Sequence, residues 1–185
     1  MTKCVMAMVV ALALLVVPTS STASAAEPKC SKINRVEVCV EPGAVTPSLI
    51  DLEWLITEVM GDNEFAVLYF SASEAPEEDG GFTLGYALAR WHRVVIYNVA
   101  KTYRNILPGD EVQIQSFANW LGPLIAHELW HVRVLGGHCA QKWDSEFFKS
   151  MDRVFDYFNT PAYVRRGHTA YVLGACKREY RGPAT

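Results

Sequence analysis

The stretch Pro123-Leu124-Ile125-Ala126-His127-Glu128-Leu129-Trp130-His131-Val132-Arg133-Val134-Leu135-Gly136-Gly137-His138 decides how the rest of the chain is read. Residues four apart on a helix share a face, so His127 and His131 can present two imidazoles to one metal ion. Glu128 lies one step round the helix, beside such an ion, where a base must stand to take a proton from a metal-activated water. The flanking Leu124, Ile125, Leu129, Val132 and Leu135 make the helix a buried one. Setting His, Glu and His into an apolar helix costs desolvation, which a divalent cation offsets.

A catalytic zinc site takes three protein ligands and leaves one position open. His138 is the favoured third ligand, because the glycine pair lets the chain reverse at the helix end. Glu146 is the alternative, and Asp144 lies close by in sequence. Zinc, one ion per chain, is the expected cofactor.

Working outward, the spacing predicts the motif helix over residues 123–135, broken from the segment before it by Gly122-Pro123 and ended by glycine in the left-handed conformation. A further helix is expected over 145–158, where Phe147, Met151, Val154, Phe155 and Phe158 recur on one side. Upstream, Val36, Val38 and Val40 alternate with polar residues as in a strand. A helix follows, capped by Thr46, carrying Leu49, Leu52, Ile56 and Met60, and ended by Gly61. Residues 65–70 read as a buried strand and 73–81 as an acidic loop. Residues 82–89 and 94–99 read as an antiparallel pair turning at Arg90-Trp91-His92-Arg93, with no ligand role for His92. Asp110 is a candidate cap for a helix from Glu111. The tail from Pro161 has no firm period.

The chain of 185 residues, 50% hydrophobic, fits one domain once its leader is set aside. Lys3, the apolar run Val5 to Val17 and Ala23-Ser24-Ala25 form a secretory signal peptide over residues 1–25, leaving a single domain over 26–185. No other apolar stretch is long enough to cross a membrane, so the expected location is extracellular or periplasmic, without stable membrane insertion. Beyond the leader, 16 basic residues stand against 20 acidic ones. They form no basic stripe of the kind a nucleic-acid binder carries. Cys30, Cys39, Cys139 and Cys176 suit two disulfides. Of three connectivities, the favoured one pairs Cys30 with Cys39 and Cys139 with Cys176.

His127-Glu-Leu-Trp-His131, His138 after Gly137, Trp143 five residues later, and the upstream Gly85-Tyr86-Ala87 and Ile96-Tyr97-Asn98 together resemble the small SprT-like and WLM-type metallopeptidases of the zincin class. The resemblance spans roughly residues 80–150. It implies an α+β fold, a minimal zincin-like domain in which a small antiparallel or mixed sheet packs on the active-site helix with two further helices. It also implies His127, His131 and His138 as ligands and Glu128 as base. Six residues separate His131 from His138, which does not fit the metzincin spacing.

The expected function is therefore a secreted zinc-dependent metallopeptidase, an endopeptidase in preference to an exopeptidase, acting on peptides or proteins. An extended substrate would add to an exposed strand edge, and His168, Tyr163 or Tyr171 could supply an oxyanion donor. The alternatives are an exported binding protein with a structural zinc, closed by Glu146, and a zinc hydrolase that is not a peptidase.

Overall fold

A computed structural model describes residues 26–78, 81–106 and 120–181. The signal peptide expected over 1–25 and the helix expected from Glu111 lie outside the described residues.

The first two strands, β1 (Lys29–Ile33) and β2 (Val36–Val40), form an antiparallel hairpin. Cys30 and Cys39 face each other in that register and are joined by a disulfide. Helix α1 (Leu49–Met60) then crosses to β3 (Ala66–Phe70), which lies parallel to β2. Two short strands, β4 (Glu77–Glu78) and β5 (Gly81–Phe82), form a separate antiparallel pair where an acidic loop was expected. The strand expected over 82–89 is divided, since Phe82 belongs to β5, but β6 (Gly85–Leu88) and β7 (Arg93–Ile96) pair antiparallel as expected, and β7 runs parallel to β3. The mixed sheet has the order β1-β2-β3-β7-β6, so β6 is an edge strand.

Sheet and helices meet through alternate strand residues, as a half-buried strand requires. Val36, Val38, Leu68, Phe70, Val94 and Ile96 share a core with Leu55, Ile56 and Val59 of α1. Helix α3 (Leu121–Arg133) contributes Ile125, Leu129 and Trp130 to that core. Helix α5 (Phe147–Tyr157) adds Phe147, Met151 and Val154. Between them lie α2 (Val99–Ile106) and the short α4 (His138–Trp143).

The chain ends in α6 (Ala162–Arg181), a 20-residue helix. The α+β class holds, but α3 is accompanied by five helices among the described residues, not two more besides the motif helix. Helix α6 has no strong pattern to announce it, since its buried residues are few: Val172, Ala175 and Cys176. The second disulfide, Cys139 to Cys176, fastens it to α4.

Three boundaries differ from the sequence reading for local reasons. Helix α1 is capped by Ser48, not Thr46, because the Ser48 hydroxyl accepts from the Asp51 amide. Strand β7 stops at Ile96, because Asn98 turns the chain into α2 and accepts from the Lys101 amide. Helix α3 begins at Leu121, which puts Pro123 in its first turn, where no amide donor is needed.

The Glu41 carboxylate ties the end of β2 to the end of β3. It accepts from the Tyr69 hydroxyl at 2.6 Å, the Ser71 hydroxyl at 2.9 Å and the Ala72 amide at 2.6 Å. These bonds, Tyr69 foremost, hold its pKa below the usual 4.5. A carboxyl whose folded pKa is depressed adds stability above its unfolded pKa and loses it as pH falls through the folded value. Glu41→Gln is therefore expected to lower the melting temperature at neutral pH. The gap to the wild type should close as pH drops below about 4.5, followed by thermal denaturation across a pH series.

Candidate metal centre

Helix α3 brings His127, Glu128 and His131 into the interior, each less than a tenth exposed. After Val134 the chain leaves the helix through Leu135, which takes the left-handed conformation at φ 50°. The Leu135 amide donates to the Val132 carbonyl and the Gly136 amide to the His131 carbonyl, closing the helix end. The left-handed residue is thus Leu135 and not a glycine. Gly136 and Gly137 serve close approach: a Cβ on Gly137 would lie 2.7 Å from the Glu179 carboxylate oxygens. The reversal opens α4 with His138, returned over the first two histidines.

The three rings converge. His127 and His131 present Nε2 atoms 3.2 Å apart, and the ring of His138 lies 5.3 Å from that of His127 and 4.7 Å from that of His131, centroid to centroid. One ligand nitrogen from each falls within 4.8 Å of the others. Two nitrogens on one tetrahedral zinc at about 2.05 Å would be about 3.3 Å apart, which the His127 and His131 pair already matches.

The far nitrogen of each ring is held from outside. His131 Nδ1 faces the Gly136 carbonyl oxygen at 2.8 Å, and His138 Nδ1 faces Glu179 Oε1 at 2.8 Å. A carbonyl or a carboxylate can only accept, so Nδ1 is the donor in both rings, which leaves Nε2 as the nitrogen that could face a metal. His127 Nδ1 meets His168 Nε2 at 2.9 Å, so a proton on His127 Nδ1 leaves its Nε2 with a lone pair as well. His138 Nε2 is buried without a hydrogen-bond partner. Lone pairs packed this closely repel unless a cation lies among them. The residues fit a metal, and the buried group His127, His131 and His138 could hold one.

The electrostatics agree with neutral ligands. Burial, followed by the neighbouring His168, His131 and His138 rings, pushes the His127 pKa far below the ordinary histidine value. Burial also lowers His131, against the pull of its bond to Gly136. Glu128, with burial as the cause, is raised to about 7.

Strand β6 passes over Glu128. A Cβ added to Gly85 would stand 3.0 Å from Ile96 Cδ1 and 3.3 Å from Glu128 Cγ, so the glycine lets the strand pass close against the Glu128 side chain. Gly85, Tyr86 and Ala87 line one side of an open cavity of about 390 Å³ whose other side is formed by the three histidines and Glu128. Tyr171 lines it too, its ring 5.1 Å from that of His138. Burial and the nearby Glu128 charge raise the Tyr171 pKa, so its hydroxyl keeps its proton at neutral pH.

The remaining sequence candidates lie elsewhere. Glu146 pairs with Lys149 and lines a groove with Trp54 and Arg153, apart from the three histidines. Its short exposed stretch before α5 points it to solvent, and it is no third ligand. Tyr163 is 62% exposed and packs its ring edge against Trp120. It cannot serve as an oxyanion donor from there. His168 stands behind His127, engaged with its far nitrogen, and does not line the cavity in front of the three histidines, where an oxyanion donor would have to stand.

Sequence reasoning missed Glu179 and Gln141. Glu179 accepts from the His138 and Cys139 amides, at 2.9 Å and 3.1 Å, as well as from the His138 ring. Burial works to raise its pKa, but these bonds prevail and hold it below the usual carboxylate value. The Gln141 side chain donates to the His127 carbonyl at 3.0 Å, tying α4 to α3. Neither residue carries a local motif; only the docking of α4 and α6 gives them their roles.

No family model matches the chain, and neither a curated protein nor a solved structure matches it.

Proposed function

We propose that the protein is an exported zinc metallopeptidase that cuts within polypeptide chains, with His127, His131 and His138 as zinc ligands. One observation supports this reading above the others: three imidazoles whose far nitrogens are hydrogen-bonded bring one ligand nitrogen each within 4.8 Å of the others, beside the buried Glu128 carboxyl. Outer partners of this kind fix ring orientation and ligand basicity in metal sites. The motif and its spacing resemble those of the small SprT-like and WLM-type metallopeptidases. Zinc bound here would act as a Lewis acid on the substrate carbonyl and ease the ionisation of water.

The chain's own groups supply the rest. An extended peptide pairs with the open edge of β6 by main-chain hydrogen bonds, which sets its carbonyl above Glu128. Glu128 takes a proton from the attacking water as the new C–O bond forms at the carbonyl carbon. It then passes that proton to the leaving nitrogen as the C–N bond breaks, giving a carboxylate and an amine. Tyr171 donates a hydrogen bond to the carbonyl oxygen as negative charge develops there. The two disulfides suit an oxidising compartment, and no helix of the described residues is long and apolar enough to cross a membrane.

A structural zinc would need a fourth protein ligand, and Glu146, the residue considered for it, is engaged with Lys149. Zinc content and casein cleavage of the exported protein test the proposal. One zinc per chain, with cleavage lost on chelation and regained on adding zinc back, is the expected result. Full occupancy with no cleavage of casein or of a peptide mixture would count against it.

A further inference from the structure

A second cavity, of about 370 Å³, meets the first at Gly85, His127, Glu128 and Tyr171, which line both. Its character is different. Four parts of the fold wall it with apolar side chains: Leu84 just before β6, Leu121 and Leu124 on the first turns of α3, Phe155 on α5 and Val164 on α6. Among the described residues that line it, Glu128 alone is an acid, and none is a lysine or arginine. A charged group buried here would meet, among the described residues, no charged partner other than the carboxylate that the proposed mechanism uses, and would cost its desolvation. The volume lies at the small end of the range for ligand pockets, enough for one large side chain and not for a folded segment.

Position gives the cavity its meaning. Gly85 begins β6, and the Cβ it lacks would point at Glu128. A peptide laid along the β6 edge therefore crosses the mouth of the cavity where it crosses Glu128. Successive side chains of an extended peptide point to opposite sides, so one next to the cut bond turns inward there.

We propose that this cavity receives a bulky apolar side chain, aromatic or branched aliphatic, from a residue flanking the scissile bond, so that the substrates are polypeptides cut beside such residues. The proposal rests on the metallopeptidase reading. Leu124 and Val164 are its specificity-determining residues, because they are half-buried wall residues that bear no part of the metal group.

The test separates the pocket from the chemistry by using binding as well as cleavage. Zinc-loaded protein is titrated calorimetrically with dipeptide hydroxamates, which chelate metal, carrying a benzyl, isobutyl, methyl or carboxymethyl side chain. Benzyl and isobutyl compounds are expected to bind on the order of 100-fold tighter than the methyl compound, given that single methylenes in apolar pockets are worth about 10-fold or more. The carboxymethyl compound should be weakest. Val164→Trp, filling the cavity, should reverse the order in favour of methyl while zinc content stays at the wild-type level. Leu124→Ala, enlarging it, should favour a naphthylmethyl compound, which guards against misfolding of the tryptophan variant. A peptide mixture should be cut beside Phe, Tyr and Leu. Equal binding of all four hydroxamates would overturn the pocket assignment and leave the metal site standing. Failure of every hydroxamate to bind would overturn both.

Discussion

Glu128→Gln should retain one zinc per chain and lose cleavage by about 10²- to 10⁴-fold, the range that a positioned general base contributes. Glutamine keeps the shape of the side chain, and Glu128 is not among the three residues whose nitrogens converge. Metal occupancy should therefore be unchanged while the rate falls. The wild-type carboxyl is nearly fully buried between α3 and β6, and burial alone raises its pKa to about 7. A carboxylate can take a proton and return it, which an amide cannot. Initial rates on a quenched fluorescent peptide, with zinc assayed on the same samples, check this. Equal cleavage by variant and wild type would remove Glu128 from the mechanism.

Glu179→Ala should weaken zinc binding by about 10- to 100-fold, the usual cost of losing an outer partner of a metal-ligating histidine. The Glu179 carboxylate holds the start of α4 at three points, the His138 and Cys139 amides and the His138 ring. Without it, the ring loses the acceptor that keeps its proton on Nδ1, and the first turn of α4 loses its anchor. Glu179→Gln keeps an acceptor oxygen without the charge and should fall between alanine and wild type. Competition with a chromogenic chelator gives the affinities, and thermal denaturation of the metal-free proteins reports any loss of fold. Unaltered zinc affinity in the alanine variant would show that His138 needs no such support.

The contrast between Glu128 and Glu179 marks what can be read from sequence. Glu128 stands within a five-residue pattern whose geometry follows from the pitch of one helix, and His127 and His131 come with it. His138 was within reach because Gly136-Gly137 suggests a reversal, although the residue that turns the chain is Leu135. Strands β2, β3, β6 and β7 were visible as alternating or β-branched runs. Helix α6 was not, since it buries little of its length against the rest of the protein and its polar residues follow no stripe. Everything α6 carries was lost with it: Glu179 behind His138, and the true place of His168 behind His127. Tyr171 was named without a helix to hold it. The pairing of Cys139 with Cys176 pointed towards that region, but a bridge says which segments meet and not which side chains face the site.

Anomalous diffraction at the zinc edge from crystals of the protein tests the central claim most directly. The expected result is a single peak about 2.0–2.1 Å from the Nε2 atoms of His127, His131 and His138, with no fourth protein ligand. A peak elsewhere, or one closed by a fourth side chain, would contradict it.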